Sequence, residues 1–141
     1  MKGFSVLEIV VVIGIFLLIT TIPTTFYLSW KSSTELNNSF NSLVHQLGRA
    51  QVLAQANNGD LTWGVKMQTG KITVFQGANY SGRVLAKDED IIIPSTISFP
   101  LITEVVFNKY SGTPVSFGLI TISKGSDTKQ ITVNSKGILE Y

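Results

Sequence analysis

The feature that constrains this chain most is an apolar segment close to its start that holds a single charged side chain. Residues 9–19 are apolar throughout, and Glu8 is the only charged residue between Phe4 and Trp30. The apolar stretch approaches the roughly 20 residues that a helix needs to cross a membrane. A charge inside a spanning helix costs roughly 2.5–3.5 kcal/mol on insertion scales, so it usually has a partner and a function. We therefore expect a membrane-spanning helix in which Glu8 has a specific role.

The flanks of this segment suggest an orientation. Lys2 precedes it and Lys31 follows it, so flanking charge alone orients it poorly. The polar stretch before it is very short, which favours a cytoplasmic amino terminus and an extracytoplasmic body. The sequence therefore predicts a single pass through the cytoplasmic (inner) membrane.

The composition of the chain argues against several classes of function. Its 141 residues carry a net charge of +2 without a long basic run, so nucleic-acid binding is not indicated. The chain has no cysteine, which excludes a disulfide framework and thiolate metal ligands. No nucleophile elbow, phosphate loop or paired catalytic carboxylates appear, so we expect no enzyme and no cofactor.

The pattern beyond the apolar segment predicts a helix followed by a sheet. From Glu35 to Ala56 the apolar positions recur at helical spacing and form one stripe: Leu36, Phe40, Leu43, Val44, Leu47, Ala50 and Ala54. Pro23 would kink rather than end a helix that runs over residues 4–57. After Gly59 the chain changes to short β-rich runs separated by turn residues.

These runs predict two hairpins. The first joins residues 61–67 to residues 71–75 through Gln68-Thr69-Gly70, and the second joins 119–122 to 130–133 through a longer loop over 123–129. Residues 83–85, 91–93, 97–99 and 104–107 are further strand candidates. The predicted fold is α+β: a long N-terminal helix, membrane-spanning in its first half and amphipathic in its second, packed on a C-terminal antiparallel β-sheet head.

The start of the chain resembles the amino terminus of type IV pilins and of the pseudopilins of type II secretion. The resemblance is carried by Gly3-Phe4-Ser5-Val6-Leu7-Glu8 and the apolar run after it. It implies that prepilin peptidase cuts between Gly3 and Phe4 and methylates Phe4, and it places Glu8 at the position of the family's glutamate. It also implies a leader over residues 1–3, a transmembrane and filament-core helix half over 4–30, an amphipathic half over 31–57 and a β-rich head over 58–141.

The head resembles the GspH/FimT branch of pseudopilins and minor pilins, through short motifs. These are residues 47–54, Trp63-Gly64-Val65, residues 107–112 and residues 130–139. Some members of this branch that serve DNA uptake carry arginines after the terminal glycine. Here Gly137 is followed by Ile138-Leu139-Glu140-Tyr141, so DNA capture is not indicated.

The resemblance implies a structural subunit of a type IV pilus-like or type II secretion filament. Glu8 of an incoming subunit would neutralise the Phe4 amine of a neighbour, because opposite charges attract strongly in a low dielectric. The implied partners are prepilin peptidase, other pilin or pseudopilin subunits, the inner-membrane assembly platform and, before assembly, membrane lipid. The filament itself would be extracellular or periplasmic. The sequence leaves open whether it is a pilus, a secretion pseudopilus or a DNA-uptake fibre.

An alternative from another class is a single-pass, membrane-anchored binding module whose head recognises a ligand without polymerising. Under this hypothesis Glu8 would be tolerated near the membrane interface and would have no part in assembly.

Other polar and aromatic residues have simpler explanations. Asp88-Glu89-Asp90 could contribute to a calcium site, but solvated turn charges explain the run better, and His45 is expected on a helix surface, so no metal is predicted. Phe26, Tyr27 and Trp30 fit either an aromatic membrane belt or packing between helices. The head aromatics are expected in the core: Trp63, Phe75, Phe99, Phe107 and Phe117.

Overall fold

The computed structural model describes residues 3–21, 23–56 and 60–141 of the chain, without the side chains of residues 21 and 23–29. The chain divides into two compact units, Met1–Thr34 and Glu35–Tyr141. We refer to them as the N-terminal unit and the C-terminal unit.

The N-terminal unit contains helix α1, Val6–Thr21, and the first turns of helix α2, Pro23–Gln55. Glu8 lies in the first turn of α1, where a negative side chain interacts favourably with the helix dipole. Pro23 is the first residue of α2. Proline has no backbone N–H, and its fixed φ suits the first turn of a helix, where that N–H would have no intrahelical partner.

The prediction of one long helix with a membrane-spanning first half is wrong. The described residues form two α-helices, α1 and α2, which end and begin on either side of Ile22, a residue outside the described part of the chain. Helix α1 has 16 residues, fewer than the roughly 20 that span a bilayer. Among the described residues, no helix has the length and apolar character that crossing a membrane requires.

This finding also corrects the predictions that depended on a spanning helix. They are the transmembrane assignment within residues 4–30 and the single-pass location in the cytoplasmic membrane. The leader residues Met1 and Lys2 and the predicted helix end at Asn57 lie outside the described residues.

In the C-terminal unit, α2 buries the stripe predicted from its spacing. Leu36, Phe40, Leu43, Leu47, Ala50 and Ala54 are buried, and Val44 packs partly buried against the same core. These positions recur at three and four residues, so they share one face of the helix. The amphipathic pattern of residues 35–56 is therefore confirmed.

The described strands form two antiparallel sheets, whereas the sequence predicts one. The larger sheet has the order β3-β2-β1-β4 and the smaller one has the order β5-β6-β7. The strands are β1 Trp63–Gln68, β2 Lys71–Gln76, β3 Glu89–Ile92, β4 Glu104–Phe107, β5 Gly118–Lys124, β6 Asp127–Val133 and β7 Leu139–Glu140. A short 3-10 helix, Leu85–Lys87, precedes β3.

Both predicted hairpins form, but their turns are tighter than the sequence suggested. Gln68 pairs with Lys71 and Lys124 pairs with Asp127, so each turn has two residues. Gly70 lies at a φ of 83°, a left-handed conformation that glycine adopts without steric cost. The longer loop predicted over residues 123–129 is wrong, because its polar residues continue the two strands.

Two weaker strand predictions fail in the structure. Residues 97–99 contribute only an isolated bridge between Ser98 and Ser123, and residues 83–85 lie outside the strands of the described chain. Ile91 and Ile92 do lie in a strand, β3, which begins two residues earlier at Glu89.

One hydrophobic core joins α2 to both sheets. Val65 and Ile72 of the larger sheet and Ile120 and Ile131 of the smaller sheet are buried with the α2 stripe. Gly64 and Phe75, which alternate with Val65 and Val74, lie on the other face of the larger sheet, where a Cβ atom on Gly64 would lie 2.6 Å from the Phe75 ring.

Candidate assembly surface

The most unusual surface of the molecule is α1. It carries twelve large apolar side chains, and each of them is at least 50% exposed. They are Val6, Leu7, Ile9, Val10, Val11, Val12, Ile13, Ile15, Phe16, Leu17, Leu18 and Ile19. Soluble monomers rarely expose a contiguous apolar surface of this extent, and such surfaces usually mark sites of interaction.

The exposed apolar surface surrounds α1 on all sides. Successive residues of an α-helix are rotated by about 100° about its axis, so the four residues Ile9 to Val12 together cover the whole circumference. All four are exposed and apolar. A helix that is apolar all round is usually buried on all sides within a larger assembly or a lipid phase, whereas a single partner would cover only one face.

Glu8 lies on this surface, in the first turn of the helix. Its side chain is exposed, and its backbone N–H donates to the carbonyl of Ser5 at 3.0 Å. Glu8 lines a groove of about 290 Å³ together with Phe4, Ile9, Val12 and Ile13. The structure therefore brings Phe4 and Glu8, the two predicted assembly residues, to the same side of the helix.

The predicted processing site lies just before the helix. Gly3 and Phe4 precede α1 in non-helical backbone, and the Phe4 side chain is 79% exposed. Apart from the chain neighbours of Gly3, no described residue has a heavy atom within 4 Å of the position that a Cβ atom on Gly3 would occupy. The described residues other than its chain neighbours therefore do not crowd Gly3. The roles of Gly3, Phe4 and Glu8 in processing and assembly stay predictions.

Glu89 and Asp90 of the acidic run lie in β3 and all three carboxylates of the run are paired with cations, so the prediction of solvated turn charges is wrong. Each carboxylate accepts a hydrogen bond from a different cation: Asp88 from Arg83 at 2.7 Å, Glu89 from Arg49 at 2.7 Å and Asp90 from Lys71 at 3.0 Å. Within the described residues, no group of three or more His, Cys, Asp or Glu side chains could hold a metal ion. Glu89 thus connects β3 to α2, Asp90 connects β3 to β2, and Asp88 pairs with Arg83 in the segment that precedes β3.

The electrostatics of this edge follow from its hydrogen bonds. The two hydrogen bonds from Arg49, at 2.7 and 2.8 Å, lower the pKa of Glu89. The pKa of Asp90 is lowered mainly by the hydroxyl of Thr73, which donates to it, and then by Lys71. Both groups are therefore stabilised in their charged forms. The sequence did not reveal this pairing, because Arg49 and Glu89 are 40 positions apart.

Most of the aromatic and histidine predictions can be compared with the structure. Trp63, Phe75 and Phe107 are buried, and Phe99 packs partly buried against the core. Phe117 is exposed, so its assignment to the core is wrong.

His45 and Trp30 are exposed on α2. The side chains of Phe26 and Tyr27 lie outside the described part of the structure.

The head segments that carry the GspH/FimT resemblance come together near the end of α2. The amide of Gln51 donates to the carbonyl of Gly112 at 3.1 Å, and the backbone N–H of Tyr110 donates to the carbonyl of Ala54 at 3.0 Å. Gly137, whose φ is 81°, lies against the Gln51 amide. Sequence reasoning missed the role of Gln51. The sequence predicts turns at Gly112 and Gly137, but it does not indicate which residue of α2 these turns contact.

Comparison with protein-family models, with curated proteins and with solved structures gives no match. The resemblance to the pilins and pseudopilins, and to their GspH/FimT branch, therefore stays a prediction.

Proposed function

We propose that the chain is a structural subunit of a type IV pilus-like or type II secretion filament that assembles through α1. The single observation that supports this proposal best is the apolar surface around the whole circumference of α1. A bundle of like helices would bury that surface on every side, and a helical filament supplies such a bundle to each of its subunits.

The energetics favour several neighbours over one. Burying a Val, Leu, Ile or Phe side chain completely contributes about 1.5–3 kcal/mol. The twelve apolar side chains of α1 are at least half exposed, so their burial would contribute roughly 10 kcal/mol or more. A single partner helix would leave at least half of that surface in water. Association itself costs an estimated 4–15 kcal/mol, so contacts on all sides of α1 give a more favourable net free energy of association than contact with one helix.

Glu8 supplies specificity in this proposal. The other described residues of α1 are uncharged, so α1 alone gives little to fix the axial position of one helix against the next. A buried carboxylate needs a charged partner, because leaving it unpaired in an apolar bundle would cost several kcal/mol. Cleavage after Gly3 would create an amine at Phe4, and the Phe4 amine of a neighbouring subunit would be that partner.

Processing is the earliest step that this function requires. Prepilin peptidase would cut the bond between Gly3 and Phe4, and the mature subunit would then meet the assembly platform and other subunits. The C-terminal unit has its own core and would form the head that the filament displays.

The test of the proposal is to coexpress the full chain with an active prepilin peptidase and to measure its intact mass and amino-terminal residue. We expect a chain that has lost residues 1–3 and begins at methylated Phe4. An established substrate of the same peptidase, processed in the same cells, is the control. A chain that still begins at Met1 while this control is processed would overturn the proposal.

A further inference from the structure

We draw no further inference here: the strongest candidate, the open groove of about 740 Å³ beside α2 that Val44, Arg49, Val52, Leu139 and Tyr141 line within the C-terminal unit, carries nothing because no feature of the described residues shows what covers it.

Discussion

Alanine substitutions around α1 distinguish burial on every face from burial on a single face. The series is Ile9→Ala, Val10→Ala, Val11→Ala and Val12→Ala, one position for each quarter of the helix circumference. Alanine has the highest helix propensity, so these variants keep the helix while removing apolar surface. If α1 is surrounded by other helices in the assembly, all four substitutions should weaken assembly.

The expected magnitude follows from the exposure of each side chain. Val→Ala removes two carbon atoms, which at about 0.8 kcal/mol each corresponds to roughly 1.6 kcal/mol for complete burial. Val10 is 63% exposed in the single chain, so assembly can gain only that share. Val10→Ala should therefore weaken assembly by about 1 kcal/mol, which corresponds to an increase of about fivefold in the concentration needed for assembly. Ile9 loses three carbon atoms and should show a slightly larger effect.

The assay is the concentration at which the processed chain begins to sediment as polymer, with electron microscopy of the pellet. Val115→Ala is the matched control, because Val115 is 62% exposed but lies in a loop of the C-terminal unit. It should leave the concentration unchanged. An effect confined to one of the four α1 positions would refute the reasoning, since it would indicate a single contact face. So would an equal effect of Val115→Ala.

Three further predictions concern the stability of the C-terminal unit. In urea titrations Gly64→Ala should lower the free energy of unfolding by about 1–3 kcal/mol, because the added methyl group overpacks the space beside the Phe75 ring of β2. Gly48 on α2 has open space around it, so Gly48→Ala should instead raise the free energy of unfolding by up to about 1 kcal/mol. Leu47→Ala should lower the free energy of unfolding by about 2–5 kcal/mol, because Leu47 is fully buried. A decrease of less than about 1 kcal/mol would contradict the position of Leu47 in the core. Since Arg49 lowers the pKa of Glu89, their pair stabilises the folded state at neutral pH, and this contribution is lost as the pH falls through the folded-state pKa. Arg49→Ala should therefore lower Tm at neutral pH and much less in strong acid, and an equal loss at both pH values would exclude the pair as its cause.

The parts of the fold that the sequence predicted depend on local periodicity and turn chemistry. The α2 stripe from Leu36 to Ala54 could be predicted because burial on one helix face requires apolar residues every three or four positions. The first hairpin could be predicted because Thr69-Gly70 separates two β-rich runs, and a glycine can adopt the left-handed conformation that such a turn needs.

The errors arose where one residue pattern permits two structures. Pro23 is compatible with a kink inside one helix and with the first turn of a new one, and the sequence does not distinguish them. Lys124 and Asp127 are polar residues that a loop would also contain, but they pair with each other at the end of the second hairpin.

The surroundings of the candidate site were only partly predictable. The apolar surface of α1 and the position of Glu8 on it could be predicted from the sequence, because both lie within one continuous helical segment. The pairing of Arg49 with Glu89, and the contact of Gln51 with Gly112, depend on segments that the fold brings together from distant positions. No local pattern indicates such partners.

The central claim is that the chain assembles through α1, with Glu8 buried against a cation of a neighbouring subunit. The most direct test is to compare the processed wild-type chain with Glu8→Ala by sedimentation and electron microscopy. Glu140→Ala, at an exposed position of β7, is the control. The account predicts filaments for the wild type and Glu140→Ala, and their loss or sharp reduction for Glu8→Ala with the head still folded. Filaments of equal yield from Glu8→Ala, or a processed wild-type chain that stays monomeric, would contradict it.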